Sequence, residues 1–160
     1  MEVRIRALAE EDAYTSVAWR NTPEIWEQTD FKATREITLE DELTWIRRVT
    51  VDPTSRRFAI IADERYVGNI YITDIRDGVG EYQIFIGNET YWGQGVARKA
   101  SRRIIEFGKT SLGLRSIKLR VRETNHRALS LYQSLGFEAT GKEGDFTTMI
   151  LDLARNSETE

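Results

Sequence analysis

FIGNETYWGQGVARKASRR, running from Phe85 to Arg103, holds the densest structural information in the chain. Gly93, Gln94 and Gly95 make a tight turn between an apolar run, Tyr82 to Ile86, and a helix predicted from about Val96. A turn feeding a helix N-terminus presents N–H groups without intrahelical partners, at the positive end of the helix dipole. Glycine has no Cβ, so a ligand can approach that backbone closely. Arg98, Lys99, Arg102 and Arg103 follow at once. Together these features describe a seat for a phosphorylated ligand. Two common phosphate loops fail here: GxxxxGK[ST] does not start at Gly87 or Gly93, and Arg98 stands where GxGxxG/A needs its third glycine. The alternative is a glycine turn followed by an ordinary solvated basic helix.

Upstream, Val3 and Ile5 alternate with Glu2, Arg4 and Arg6, which predicts a half-buried strand over residues 2–7. Ala9 to Arg20 predicts a helix with Ala13, Val17 and Trp19 inward. Asn21-Thr22-Pro23 stops it, because the residue before proline avoids the helical region. Residues 24–37 show little periodicity yet contain Trp26 and Phe31, which fits a substrate-side lid or a packed connection. Thr38 caps a second helix with Asp41 as its capping-box partner, and Leu39, Leu43, Ile46 and Val49 form the apolar stripe. Residues 57–62, 65–75 and 80–87 predict a three-strand meander turned at Asp63-Glu64 and Asp77-Gly78.

Downstream, the helix from Val96 turns Ala100, Ile104 and Phe107 inward and ends near Leu112-Gly113. Ile117, Leu119 and Val121 alternate with cations in another strand. Asn125 to Leu135 forms a helix closed by Gly136, and residues 137–142 and 147–153 make a final strand pair. The order β-α-α-β-β-β-α-β-α-β-β implies an α/β (α+β) fold with a mixed sheet of six to seven strands. Strands 80–87 and 116–122 run parallel through a right-handed crossover.

At 160 residues, 40% hydrophobic and 31% charged, the chain has the size and composition of one soluble globular domain. That domain spans 1–155, and 156–160 is a polar tail. Absence of cysteine removes disulfides and thiolate nucleophiles, and a single histidine, His126, argues against a metal centre. No segment approaches the ~18 apolar residues of a membrane span, and the N-terminus lacks a signal-peptide core, so a cytoplasmic location without membrane association is expected. A net charge of −3 argues against general nucleic-acid binding.

YWGQGVA at 91–97 resembles the acyl-CoA-binding loop of the GNAT superfamily of N-acetyltransferases, whose pattern is [Q/R]xxGx[G/A]. Trp92 stands where Gln or Arg is usual, while Gly95 and Ala97 match. Trp-Gly-x-Gly-x-Ala is similar to the branch containing ribosomal-protein alanine and polyamine acetyltransferases. VRETNHRALSLYQSLGF at 121–137 matches the family's VxxxNxxAxxLYxxLGF almost throughout. The resemblance implies the GNAT fold over residues 2–153, with acetyl-CoA as cosubstrate and no metal. It implies that acetyl-CoA lies where the parallel strands part, with its pantetheine arm on the backbone of Phe85, Ile86 and Gly87. Its pyrophosphate would rest on the loop of Trp92 and Gly93 and the N–H groups of Gln94, Gly95, Val96, Ala97 and Arg98. The other helix cations would screen the remaining phosphate charge.

Asn125 resembles the family asparagine that bonds the pantetheine arm, and asparagine is equally a good N-cap. Tyr132 resembles the general acid beside the sulfur, with core packing as its other reading. A thiol leaves poorly as a bare thiolate in a dry site, so a nearby phenol can protonate it. The attacking ammonium must lose a proton. Glu81 is the candidate base, acting through water or mainly attracting the amine, and His126 is a rival more often exposed at a helix start. N–H groups near Ile86 and Gly87 would polarise the thioester carbonyl.

Glu24, Glu27, Asp30, Glu36, Glu40, Asp41 and Glu42 make the acceptor side acidic, which favours a cationic acceptor. Arg57-Phe58 and Glu81-Tyr82-Gln83-Ile84 look like polyamine acetyltransferases. Trp19-Arg20-Asn21 and Trp45-Ile46 look like acetyltransferases of nucleotide-linked amino sugars. A small amine is therefore the expected partner, with a protein N-terminus or a non-catalytic acyl-CoA-binding module as alternatives. An exposed strand edge also makes a homodimer possible.

Overall fold

The computed structural model describes residues 1–27 and 34–154, so Asp30, Phe31 and the 156–160 tail lie outside the described residues. The described strands are β1 (Val3–Ala7), β2 (Arg56–Ala62), β3 (Arg65–Arg76), β4 (Val79–Ile86), β5 (Ser116–Arg122), β6 (Glu138–Glu143) and β7 (Phe146–Asp152). The helices are α1 (Ala13–Arg20), α2 (Pro23–Trp26), α3 (Leu39–Thr50), α4 (Val96–Thr110) and α5 (His126–Ser134). One sheet contains all seven strands, in the order β1-β2-β3-β4-β5-β7-β6.

Local chemistry sets the element ends. Thr38 Oγ1 accepts from Asp41 N at 3.1 Å and Asp41 Oδ2 accepts from Thr38 N at 2.8 Å, the reciprocal cap expected at the start of α3. Asp77 and Gly78, at φ 52° and 77°, turn β3 into β4. Two boundaries differ from expectation. The first helix begins as a 3-10 turn over Glu10–Asp12, because Asp12 accepts from Ala9 N at 2.8 Å and is held by Arg6 at 2.7 Å. Residues after Thr22 form the short helix α2, since Pro23 at N1 lacks the N–H that a first turn leaves unused anyway.

Alternation divides the core between the two faces of the sheet. One face packs Ile60, Ile70, Ile72 and Tyr82 against Val96, Ala100 and Ile104 of α4. The other packs Ala59, Ile61 and Tyr71 against Leu8, Ala13 and Ile46. Central β3 is buried continuously from Val67 to Thr73, as a strand covered on both faces must be.

The parallel pairing of β4 with β5 covers only Val79–Glu81 against Ser116–Lys118. Beyond Glu81, β4 continues its ladder with β3 alone, and β5 continues with β7 through Arg122. The two strands therefore part at Tyr82 and Leu119, and a gap opens in the middle of the sheet. β4 ends at Ile86, one residue short of the predicted strand. Gly87 lies against the Trp19 indole: a Cβ there would stand 2.0 Å from Trp19 Cδ2. Gly87→Ala is expected to cost about 2 kcal/mol through overpacking, read as a lower denaturation midpoint in urea. An unchanged midpoint would show that Trp19 can yield.

Candidate active site

The gap between β4 and β5 opens into a cleft of about 1010 Å³. Gly87 N donates to Val67 O at 2.8 Å, and this bond phases the antiparallel ladder. The Phe85 amide groups then face β3, while those of Ile84 and Ile86 face the gap. Of Phe85, Ile86 and Gly87, only Ile86 directs its backbone into the cleft, and its carbonyl also accepts Trp92 Nε1–H at 2.8 Å. The expectation that the Gly87 N–H polarises a carbonyl is corrected, because that donor is committed to Val67. Trp92 ties the loop end to the strand end through its indole.

Gly93 and Gly95 adopt φ 72° and 82°, which side-chain-bearing residues rarely do. Gln94 Nε2 donates to Thr90 O at 3.1 Å and braces the loop. The first N–H bond of α4 runs from Lys99 to Gly95 O at 3.2 Å, so the N–H groups of Val96, Ala97 and Arg98 precede it without helical acceptors. Nothing stands within 4 Å of where a Gly95 Cβ would be, so the cradle is open. These features fit a diphosphate.

The cations divide differently from the sequence reading. Arg98 lines the cleft and donates to Ser134 Oγ on α5. Lys99, Arg102 and Arg103 instead line a separate groove beside β1, where Lys99 Nζ donates to Met1 O at 2.7 Å. Their expected role on the phosphates is corrected: Lys99 and Arg103 are rotated by about 100° and 140° from Arg98, and Arg102, a full turn on, stands about 6 Å farther from the loop. Arg127, missed in the sequence, lines the cleft, with Nη2 3.3 Å from where a Gly93 Cβ would sit.

Asn125 caps α5, its Oδ1 accepting from Ala128 N at 3.2 Å. It also lines the cleft. Tyr132 lines the same space and is 8% exposed. Its ring meets Tyr82 edge-on at 5.5 Å and Phe137 at 5.9 Å. Burial pushes its phenol up to about 12, partly offset by the Tyr82 hydroxyl, which lies 2.6 Å from Ser101 Oγ. Tyr132 therefore keeps its proton at neutral pH. His126 is exposed and does not line the cleft.

Glu81 reaches the cleft from the last paired position of β4, with Arg120 Nε 3.6 Å from its Oε1. The acceptor side is less acidic than the sequence predicted. Glu24 and Glu27 line it, but Glu42 is buried, accepting from Ser16 Oγ at 2.7 Å and Arg20 Nε at 3.1 Å. Asp41 bonds Arg35, whose guanidinium holds the carboxyl well below its ordinary range. Arg20 and Arg57 join the lining beside Trp45 and Tyr71.

A mixed sheet parted beside a glycine-rich helix start, with a buried phenol at the opening, defines an acyl-coenzyme A transferase site. The acetyltransferase (GNAT) domain model matches residues 2–138, and the chain belongs to that family. It is an acetyl-CoA-dependent N-acetyltransferase. Acetyltransferase PseH of Campylobacter jejuni is 28% identical over 133 residues, covering 83% of this chain and 81% of that protein. Spermidine N(1)-acetyltransferase of Escherichia coli is 32% identical over 93 residues, 57% of this chain and 50% of that protein. The fold is shared with spermidine N-acetyltransferase from Vibrio cholerae, solved in complex with CoA and spermine. The TM-score is 0.85 at 24% identity, covering 95% of this chain and 96% of that one.

Proposed function

We propose that the chain acetylates the primary amine of a small cationic metabolite, a polyamine or an amino sugar, by direct attack. The observation that carries this reading is the buried Tyr132 side chain lining the opening between β4 and β5 beside the glycine-rich start of α4. Acetyl-CoA supplies the acyl group as a thioester. The loop from Gly93 to Arg98 holds its diphosphate, with Arg127 adding charge. The outward backbone of Ile84 and Ile86 pairs with its arm, and Asn125 donates through Nδ2 while Oδ1 caps α5.

Glu81, with Arg120 Nε 3.6 Å from its Oε1, draws the ammonium end of the acceptor and takes its proton directly or through water. The amine nitrogen bonds to the acetyl carbon, the C–S bond breaks, and Tyr132 gives its proton to the departing sulfur. Attack needs no covalent enzyme intermediate. The spermidine enzymes among the relatives support a small amine as acceptor.

Thiol release from acetyl-CoA, measured with polyamines, amino sugars and peptides, tests the reading. Release with a small amine is expected, and release with peptides alone would overturn it. Glu81→Gln should lower kcat/KM for the amine by about 10-fold with acetyl-CoA affinity retained. An unaltered rate would remove Glu81 from the mechanism.

A further inference from the structure

Arg57 stands in the acceptor half of the cleft without an ionic partner among the described residues. Its Nε is sealed from solvent and has no hydrogen-bond partner. The guanidinium lies 4.4 Å from the Tyr71 ring centroid and 5.4 Å from that of Trp45. Trp45 also carries Arg20 at 4.2 Å, so two guanidiniums flank one indole. Of the carboxylates here, Glu42 already serves Arg20 and Ser16, while Glu24 and Glu27 line the same cleft with no ion pair to Arg57 among the described residues. Asp52, which attracts Arg57 from outside, is fully exposed and bonded to Thr54. Burial lowers the Arg57 pKa from its usual value, and Arg20 adds to the shift. A hydrogen bond to Tyr71 and the ring faces leave most of the guanidinium's five donors unmet, and its planar fork suits two oxygens of one anion.

Register fixes where such an anion would lie. Arg57 pairs with Tyr71, and Tyr71 with Gln83, so the three form a row across one face of the sheet. Glu81 is two residues along β4 from Gln83, on the same face. Two inter-strand steps and one two-residue step separate Arg57 from Glu81 by about 12 Å between backbones. One end of the cleft therefore suits an ammonium group and the other an acid.

Building on the acetyltransferase reading of this cleft, we propose that the acceptor carries, besides its primary amine, an acidic group, a phosphate or a carboxylate, which Arg57 binds. A bare polyamine would leave this guanidinium unmatched. The acceptor is an amine at the Glu81 end and an anion at the Arg57 end, spaced by a unit of sugar-ring size or longer.

Paired amines test this with the full chain: glucosamine against glucosamine 1-phosphate, and 1,4-diaminobutane against 4-aminobutanoate. Thiol release gives kcat/KM for each, and calorimetry gives amine binding to the protein saturated with coenzyme A, which blocks the phosphate cradle. The acid-bearing member of at least one pair should exceed its parent by about 10-fold or more. The pair that shows it tells phosphate from carboxylate. Arg57→Gln should shrink that ratio about 10-fold, and Arg57→Lys should retain part of it, with coenzyme A affinity reporting that both variants are folded. Equal preference within both pairs, or a ratio untouched by Arg57→Gln, would overturn the proposal. Binding of the acidic member with no thiol release would instead leave it standing and overturn the acetyltransferase reading.

Discussion

Replacing Tyr132 with phenylalanine is expected to lower kcat about 100-fold, while the Kd for acetyl-CoA stays within about twofold. Phenylalanine keeps the edge-on contacts to Tyr82 and Phe137 and removes only the hydroxyl. What is lost is a proton donor made only when the C–S bond breaks, so turnover falls and ground-state binding does not. Burial pushes the phenol up to about 12, and such an acid carries its proton at every pH below that and sheds it only above. The rate of the unaltered enzyme should accordingly climb as the amine deprotonates and show no descending alkaline limb below about pH 10. Single-turnover thiol release and calorimetry separate the two quantities. A loss of coenzyme affinity matching the loss of rate would make Tyr132 a packing residue.

Glu42→Ala is expected to destabilise the fold by about 3–5 kcal/mol, lowering Tm by about 10 °C in a chain of this size. Glu42 is 2% exposed and takes bonds from Ser16 and Arg20 across the α1–α3 contact. Truncation takes the Glu42 carboxylate from Arg20, whose side chain is 12% exposed beside Trp26 and Trp45. Removing both charges should cost much less, since apolar groups of similar volume often replace a buried ion pair with little loss. Glu42→Leu with Arg20→Met is the matching double variant. A Tm drop below about 2 °C for Glu42→Ala would show that water replaces the carboxylate without penalty.

Local signals were legible where a residue acts on its neighbours. Thr38 and Asp41 cap each other three positions apart, Asp77-Gly78 turns a hairpin, and Gly136 at φ 102° ends α5. The motif from Trp92 to Ala97 likewise lies within one turn and one helix start. What stayed hidden depends on partners remote in sequence. Glu42 reads as a solvated position on an acidic helix, and its bonds from Ser16 and Arg20, 26 and 22 residues earlier, explain its burial. Arg127 reaches Gly93 because α5 packs beside the loop, which no periodicity encodes. The four cations after Gly95 looked equivalent as a string, yet one faces the cleft and three face β1. Arg57 reads only with Phe58, as a likeness to polyamine acetyltransferases, and the Trp45 and Tyr71 rings around it come from remote parts of the chain.

The short ladder between Val79–Glu81 and Ser116–Lys118 has a mechanical consequence. The sheet is two stiff plates, one of four strands and one of three, hinged at a single corner. Rotating one plate by about 5° moves the far rim, ~15 Å away near Ile86, by about 1 Å. No hydrogen bond inside either plate need stretch for that swing. One apolar core joins the two plates, with Tyr82 against Tyr132 and Phe137, and resists any larger swing.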